Sequence, residues 1–94
     1  MIYFQWDPSK NVLNIKKHQI SFQEAATVFF DQSGLLVEDD AHSEQEERHI
    51  LIGLSLEGNV IVVSHCYREN DKIIRIISAR KATKNERLQY EKGI

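Results

Sequence analysis

The sequence predicts an α+β fold in which two helices from the N-terminal part pack on one face of an antiparallel β-sheet and a short helix ends the chain. The predicted element order is β-α-α-β-β-β-β-α. Apolar residues recur at helical spacing in the first third, and residues 49–80 hold three apolar runs separated by two turn signals. With 94 residues and 41% apolar content, residues 1–94 are expected to form a single domain.

The first predicted elements are a strand and two helices. Residues 2–6 alternate between apolar and polar side chains, as a half-buried strand does. Asp7 before Pro8 is typical of a helix start and predicts a helix over residues 8–18. Ser21 and Glu24 have the spacing of a capping box that begins a second helix. The predicted apolar stripe of that helix contains Phe22, Ala25, Ala26, Phe29 and Phe30.

Four strands and a helix follow. The run LLVED at residues 35–39 predicts a strand, and residues 41–45 predict a polar loop. The triplets at residues 57–59 and 69–71 predict turns between three antiparallel strands. Thr83 and Glu86 repeat the capping-box pattern and predict a last helix that ends near Lys92.

Two-residue turns at 58–59 and 70–71 would fix the register of these strands. They predict that His65 lies opposite both Ile52 and Ile76, that Ile61 lies opposite Arg80, and that Arg48 lies near Glu69. One predicted face contains Arg48, His65, Tyr67, Ser78 and Arg80 with Ile50, Ile52, Leu54, Val63, Ile74 and Ile76. The other contains Leu51, Val60, Val62, Cys66, Ile73 and Ile77. Because both faces are largely apolar, the face without helices is expected to need a protein partner as cover.

Charge is distributed unevenly along the chain. The net charge of −2 argues against nonspecific coating of nucleic acid. Residues 72–92 nevertheless hold seven Lys and Arg against two Glu, which predicts an anion site in the C-terminal third. The single cysteine, Cys66, excludes an internal disulfide and fits a reducing, cytoplasmic location. No apolar segment is long enough to cross a bilayer and the N-terminus does not resemble a signal peptide, so membrane association is not expected.

Several polar residues have both a functional and a structural interpretation. Arg80, beside Lys81, either binds a phosphate with two hydrogen bonds or is a solvated strand-end charge, and the same alternatives hold for Arg48 and Arg68. His65 is either a general acid or base or a buried neutral imidazole. His18 follows two lysines and either complements a helix C-terminus or serves a ligand.

Metal and cysteine chemistry are not predicted. The segment HSEQEERH, residues 42–49, contains metal-ligating residue types, but its two histidines lie seven residues apart and match no common ligand spacing. Cys66 points away from His65 in an alternating strand, so a Cys-His nucleophile is not expected. No cofactor is predicted.

The chain resembles the BrnT-type toxins of bacterial type II toxin-antitoxin systems, a branch of the RelE-like ribonucleases. The fragments that carry the resemblance are FQWDPSKNVLNIKKH, SFQEAATVFFD, HSEQEERHILIGLS, VIVVSHCYR and RIISARKATKNERLQYE, in this order over nearly the whole chain. Gln19 stands where the family commonly has Gly, which implies a strained helix end. His49 stands where an aromatic residue such as Phe is usual.

The resemblance implies an RNA endonuclease that inhibits translation. Its expected partner is a BrnA-like ribbon-helix-helix antitoxin, in a toxin-antitoxin heterotetramer that contacts operator DNA only through the antitoxin. RNA supplies its own nucleophile, the ribose 2′-OH, so the reaction is expected to need no metal.

The expected catalytic residues are Arg80 and Arg48 for the phosphate charge, His65 as acid or base, and Glu47 behind it. The expected substrate-binding residues are Arg68, Lys81, Lys17, His18 and His42. Two alternatives stay open. One is a non-catalytic, partner-binding module that acts as co-repressor with a DNA-binding protein, and the other is a metal hydrolase that uses His42, Glu46 and His49.

Overall fold

The computed structural model describes residues 2–38 and 47–93. Its elements are β1 (Tyr3–Gln5), α1 (Pro8–His18), α2 (Phe22–Thr27) with a following 3₁₀ turn (Val28–Phe30), β2 (Leu35–Glu38), β3 (His49–Leu54), β4 (Val60–Arg68), β5 (Ile73–Lys81) and α3 (Lys84–Lys92). The predicted α+β class and element order are confirmed. The predicted loop at residues 41–45 lies outside the described residues. No helix in the described ranges is long and apolar enough to span a membrane.

The strands form one sheet in the order β1-β5-β4-β3-β2. Strands β2 to β5 pair antiparallel with their neighbours, as predicted, whereas β1 pairs in parallel with β5. Residues opposite each other on paired strands point to the same side of a sheet, so the register defines two faces. The face that carries Leu51, Val63, His65, Ile76 and Ala79 is called the helix face, and the face that carries Ile52, Val62, Ser64, Ser78 and Arg80 is called the far face.

The main core lies between the helix face and the helices. Phe22, Ala25 and Val28 from α2 and the 3₁₀ turn are fully buried against the sheet. Gly53 permits the close approach of this turn, because a Cβ atom there would lie 2.7 Å from Val28 Cγ1. The predicted apolar stripe is wrong at Phe30, which is 72% exposed. A 3₁₀ turn has three residues per turn instead of 3.6, and this shift rotates Phe30 away from the core.

Asn14 attaches α1 to β5. Its buried amide group donates to Ala79 O at 2.8 Å and to Ile20 O at 2.8 Å, and it accepts from Ala79 N at 3.2 Å. Since β1 pairs only with residues 73–75 of β5, the side chain satisfies backbone groups that β1 leaves unpaired. The two hydrogen bonds of this buried amide with Ala79 therefore fix the position of α1 along β5.

Helix α3 covers one end of the far face. Tyr90 packs against a cluster of Ile52, Val62 and Ala82. Its hydroxyl group donates to Asp31 Oδ2 at 2.6 Å, and this hydrogen bond raises the pKa of Tyr90 to about 12. The capping box predicted at the start of α3 is confirmed. Part of the cover that the sequence assigned to a partner is thus supplied by the chain itself.

The predicted register of β3 against β4 is wrong by three residues. Ile52 lies opposite Val62, and His65 lies opposite His49. The connection spans residues 55–59 because the Glu24 carboxylate accepts from Ser55 Oγ at 2.7 Å and from Asn59 Nδ2 at 2.8 Å. The capping box predicted for α2 is consequently half formed.

In that half-formed box, Ser21 Oγ accepts from the Glu24 backbone N–H at 3.0 Å. The Glu24 side chain, which should reach back toward Ser21, is bonded to the β3–β4 connection instead. A contact between elements distant in sequence has replaced a local one.

The predicted pairing of His65 with Ile76 is confirmed, but the register then shifts. Ser64 pairs with Ser78, so Ile77 has no counterpart on β4 and forms a β-bulge. Arg80 consequently lies opposite Val62 and not opposite Ile61. The connection between β4 and β5 contains three consecutive residues with positive φ, at positions 69–71.

These shifts divide the face that the sequence predicted. His65 and Tyr67 lie on the helix face, whereas Ser78 and Arg80 lie on the far face with Ile50, Ile52 and Leu54. Lys81 alternates with Arg80 and therefore lies on the helix face. The predicted placement of Arg80 and His65 on one face is wrong.

Gln19 occupies a left-handed conformation after α1, with φ of 62°, and its N–H donates to Ile15 O at 2.8 Å. We predict that Gln19→Gly raises the free energy of unfolding by about 1 kcal/mol, because glycine adopts this conformation without the steric cost of a Cβ atom. Urea denaturation measures the change. Gln19→Ala, which keeps the Cβ atom, should give no comparable gain, and equal stabilisation by both variants would contradict the explanation.

Candidate functional site

Arginines from three segments lie on the far face. Arg68 is opposite Ile73, Arg75 is opposite Cys66, and Arg80 is opposite Val62, so all three share that face. Extending the alternation of β3 back by one residue from His49 assigns Arg48 to the same side. We call these four residues with Ser64 and Ser78 the arginine face.

The bulge at Ile77 creates this grouping. Arg75 and Arg80 are five residues apart, and a regular strand would place them on opposite sides of the sheet. One extra residue between them restores the same orientation. The sequence analysis therefore did not predict Arg75 as a site residue, because a separation of five residues in a regular strand puts it on the face opposite to Arg80.

Arg80 is held by the carboxylate of Glu86 on α3. Its Nη1 and Nη2 donate to the two Glu86 oxygens at 2.7 and 2.9 Å. The hydrogen bonds from Arg80, opposed by partial burial, lower the pKa of Glu86 to about 2. The same hydrogen bonds raise the pKa of Arg80. Glu86 thus occupies the end of the guanidinium group, between Nη1 and Nη2. The other edge, formed by Nε and the second Nη2 hydrogen, makes no hydrogen bond with the described residues.

That free edge determines what Arg80 can do. Two parallel N–H groups of a guanidinium can donate to two oxygens of one phosphate. The Arg80 side chain is 43% exposed, so it is partly open to solvent. Glu86 partly neutralises the charge of Arg80 but fixes its orientation.

The other arginines have different surroundings. Arg75 is half-buried, and its Nη1 donates to Gln5 Oε1 on the neighbouring strand at 2.9 Å. Arg48 is half-buried with an Nε that is inaccessible to solvent and has no hydrogen-bond partner in the structure described. Arg68 is exposed at the end of β4. A buried N–H donor without a partner is costly.

The spacing on the arginine face indicates an extended ligand. Arg48 and Arg75 are separated by two strand spacings, or about 10 Å. Arg48 and Arg80 are separated by two strand spacings and four residues along the strand, or about 16 Å between Cα atoms. Separations of this size suit several phosphates of one chain better than a single phosphate.

His65 is buried inside the core and is not part of this face. Its exposure is 0%, and its ring lies 4.8 Å from that of Phe29 and 5.3 Å from that of Tyr67. Burial lowers the pKa of His65 to about 4, against a smaller opposite effect of the hydrogen bond with Val63 O. Of the two interpretations from sequence, the buried neutral imidazole fits the structure.

Glu47 lies near a different pocket. This cavity of about 370 Å³ is lined by Glu47, His49, Tyr67 and Asp71. His49 and Tyr67 belong to the helix face, and burial together with the charge of Asp71 raises the pKa of Tyr67. Glu47, the acid-base candidate predicted behind His65, thus lies with residues of the helix face, whereas Arg80 lies on the far face.

The remaining predicted residues fall in three places. Lys81 is exposed on the helix-face side. Burial raises the pKa of Glu24, but the hydrogen bonds of Glu24 and the charge of Lys81 together lower it more. Lys17 and His18 line an open groove with Ser78, next to the arginine face. His42 and Glu46 lie outside the described residues, and within residues 2–38 and 47–93 no group of three His, Cys, Asp or Glu is arranged to hold a metal ion.

The fold and this face define a small α+β domain with an arginine-rich side of its sheet. Residues 6–86 match the family described as the ribonuclease toxin, BrnT, of type II toxin-antitoxin systems. The chain belongs to this family of ribonuclease toxins, and the resemblance predicted from sequence is confirmed.

The fold is similar to that of a solved member. The crystal structure of the Brucella abortus ribonuclease toxin, BrnT, superposes with a TM-score of 0.69 at 22% identity, over 89% of this chain and 100% of that chain. At this identity the likeness establishes the shared fold. No curated protein sequence matches the chain significantly.

The buried His65 should make the protein sensitive to acid. Between pH 6.5 and about 4 the unfolded chain binds a proton at this position that the folded chain does not, so stability falls as pH falls through this window, by up to about 3 kcal/mol. We predict that His65→Phe reduces this loss. Urea denaturation at pH 7.5, 5.5 and 4.5 measures it, with Tyr67→Phe from the same cluster as control. An unchanged pH dependence in His65→Phe would contradict the prediction.

Glu86 should stabilise the protein only when it is ionised. Its pKa is lowered from 4.5 to about 2 by Arg80, so its contribution is complete above pH 4.5 and is lost as pH falls through 2. We predict that Glu86→Gln lowers the free energy of unfolding at pH 7 by about 1 kcal/mol, because the ion pair is partly exposed, and that the difference disappears near pH 2. Glu91→Gln on the same helix is the control. A difference between wild type and Glu86→Gln that persists at pH 2 would exclude the ion pair as its cause.

Proposed function

We propose that this chain is a metal-independent endoribonuclease that holds RNA on its arginine face. The observation that carries the proposal is the convergence of four arginines from three chain segments on one side of the sheet, through the register and the bulge at Ile77. Membership of a ribonuclease toxin family supports the choice of RNA as substrate. Cleavage of RNA in the cytoplasm would inhibit translation.

Arg80 is the proposed catalytic residue. The ribose 2′-OH loses its proton to solvent and attacks the adjacent phosphate, which becomes a 2′,3′-cyclic phosphate. The bond from phosphorus to the 5′ oxygen breaks, and that oxygen takes a proton from solvent. Negative charge accumulates on the phosphate oxygens in the transition state. The free edge of the Arg80 guanidinium can donate two hydrogen bonds to these oxygens, while Glu86 holds the other end. A donor that is already oriented needs no rearrangement during the reaction, and this makes charge stabilisation effective.

The other arginines are proposed to bind the flanking phosphates. The Cα atoms of Arg48, Arg75 and Arg68 lie about 16, 13 and 20 Å from that of Arg80, by the strand spacing and the rise per residue. Each is therefore assigned to a phosphate other than the one that Arg80 contacts. Since His65 is buried on the opposite side, proton transfer is assigned to solvent. The proposed mechanism thus depends on charge stabilisation rather than on a histidine.

The proposed partner is a BrnA-like ribbon-helix-helix antitoxin, in a heterotetramer that contacts operator DNA through the antitoxin alone. An antitoxin follows from membership of a type II toxin-antitoxin family. Exposed apolar side chains offer it contact area: Leu36 is 54% exposed and Leu56 is 82% exposed.

A second candidate function is a non-catalytic co-repressor. The net charge of −2 and the partial neutralisation of Arg80 by Glu86 both weaken attraction to RNA, and they favour this alternative. In that case the arginine face would serve protein contacts only.

Cleavage assays with partner-free protein and total RNA in excess EDTA test the proposal. We predict that the wild type cleaves RNA and that Arg80→Ala lowers the rate constant by about 100-fold to 1,000-fold, as loss of an oriented transition-state donor does. Lys81→Ala is the matched control, because Lys81 is the next residue along β5 but lies on the opposite face. Its rate should stay within about twofold of wild type, since it supplies no such donor. Thermal unfolding verifies that both variants are folded.

The outcomes separate the alternatives. Cleavage that stops in EDTA and returns with added Mg²⁺ would overturn metal independence. Equal losses in both variants would remove Arg80 from its proposed role. Tight binding of a partner by a chain that cleaves no RNA would favour the co-repressor.

A further inference from the structure

An open groove of about 600 Å³ runs between α1 and β5 beside the arginine face. Lys10, Leu13 and Lys17 line its helix side, and Ile77 and Ser78 line its strand side. The two strand residues are those at which the bulge shifts the register. The same irregularity that groups the arginines therefore shapes the groove.

The groove is preformed. Asn14, which lies between Leu13 and Lys17 on α1, makes three hydrogen bonds that fix the helix to Ala79 and Ile20. Ala79 follows Ser78 directly, so the fixed point is adjacent to the strand wall of the groove. A ligand entering it does not have to order the helix first.

Folding explains the charge of α1 only in part. The helix contains three lysines and His18 but no acidic residue between Pro8 and His18. Cations near a helix C-terminus complement the helix dipole, and this accounts for Lys16, Lys17 and His18. Lys10 is in the first turn, where a cation opposes the dipole. Its position suits a bound anion.

Lys10 and Lys17 lie on one side of α1. Their separation of seven residues is two helical turns, or about 10 Å along the axis. Two ammonium groups at this distance can contact separate phosphates of one strand. Lys10, Leu13 and Lys17 follow the i, i+3, i+7 spacing of a single helix face.

The groove is continuous with the arginine face. Ser78 lines the groove, and it lies opposite Ser64 on the far face, two residues from Arg80 along β5. A strand that leaves Arg80 along this path passes the Ser78 hydroxyl and reaches the lysines of α1. The path contains only neutral and cationic side chains among the residues that line the groove.

The floor of the groove indicates how such a strand would be held. Leu13 is 61% exposed, and the residues that line the groove include no Phe, Tyr or Trp. Single-stranded binding sites that hold bases use aromatic rings for stacking. A groove with lysines and aliphatic side chains instead favours contact with the phosphate backbone, which carries no sequence information.

We propose that the groove between α1 and β5 binds the RNA backbone beyond the cleaved phosphate, independently of base sequence. The inference rests on the proposed ribonuclease function. It adds Lys10 and Ser78 as binding residues and assigns Lys17 and His18, which were predicted from sequence to bind substrate, to the same groove. An acidic segment of a protein partner is the competing occupant.

Binding of a fluorescent, 2′-O-methylated oligonucleotide of about 12 nucleotides tests the proposal, because such a probe is long enough for a single-strand site and lacks the nucleophile. Anisotropy is measured between 50 and 200 mM salt, a range over which phosphate contacts weaken steeply. The double variant Lys10→Gln/Lys17→Gln should weaken binding about tenfold and reduce the slope of log K against log salt by about 1.4, the value for two phosphate contacts on a single strand. The matched control is Lys84→Gln/Lys92→Gln on α3, with the same change in charge.

The expected result is a loss confined to the α1 variant, of equal size for probes of different base sequence. Equal losses in both double variants would overturn the proposal, since they would reflect net charge alone. Unchanged oligonucleotide binding by the α1 variant, with weakened binding of an antitoxin partner, would assign the groove to protein. Because the probe cannot be cleaved, failure of RNA cleavage with this binding pattern intact would refute the proposed activity and leave the groove assignment standing.

Discussion

The extra residue in β5 is the constraint on which the arrangement of this molecule depends. Before Ile77, Arg75 points to the far face and Ile76 to the helix face. After it, Ala79 returns to the helix face and Arg80 to the far face. A strand without the bulge could bury Ile76 and Ala79 together only by twisting, since they are three residues apart. The bulge lets both enter the core and leaves both arginines on the other side.

Buried polar side chains attach the helices to this sheet. Glu24 accepts hydrogen bonds from Ser55 and Asn59 in the β3–β4 connection. Asn14 forms hydrogen bonds with Ala79, in the part of β5 that does not pair with β1. Apolar packing alone would tolerate several positions of a helix on a sheet, whereas hydrogen bonds to particular backbone or side-chain groups fix one. The helix positions then determine which strand residues are covered and which remain accessible to a ligand.

His65 and Arg80 show two different uses of burial and charge. His65 lies in an apolar environment that keeps its imidazole neutral, so it contributes packing with Phe29 and Tyr67. Arg80 is ionised as arginines are in proteins, and Glu86 accepts two of its hydrogen bonds. The ion pair reduces the net attraction of this site for anions but keeps the guanidinium in one orientation.

The sequence alone determined the element order, the caps of α1 and α3, and the family. These depend on local signals such as Asp7 before Pro8 or Thr83 before Glu86, and on fragments that keep their order along the chain. Only the tertiary structure decided the faces of the sheet. Side chains alternate with a period of two, so a loop reshaped by Glu24 or one additional residue at Ile77 reassigns every residue beyond it. Both causes are contacts between segments distant in sequence, and no local pattern records them. For that reason the sequence indicated the arginines but not which of them lie together, and it assigned His65 to the wrong side.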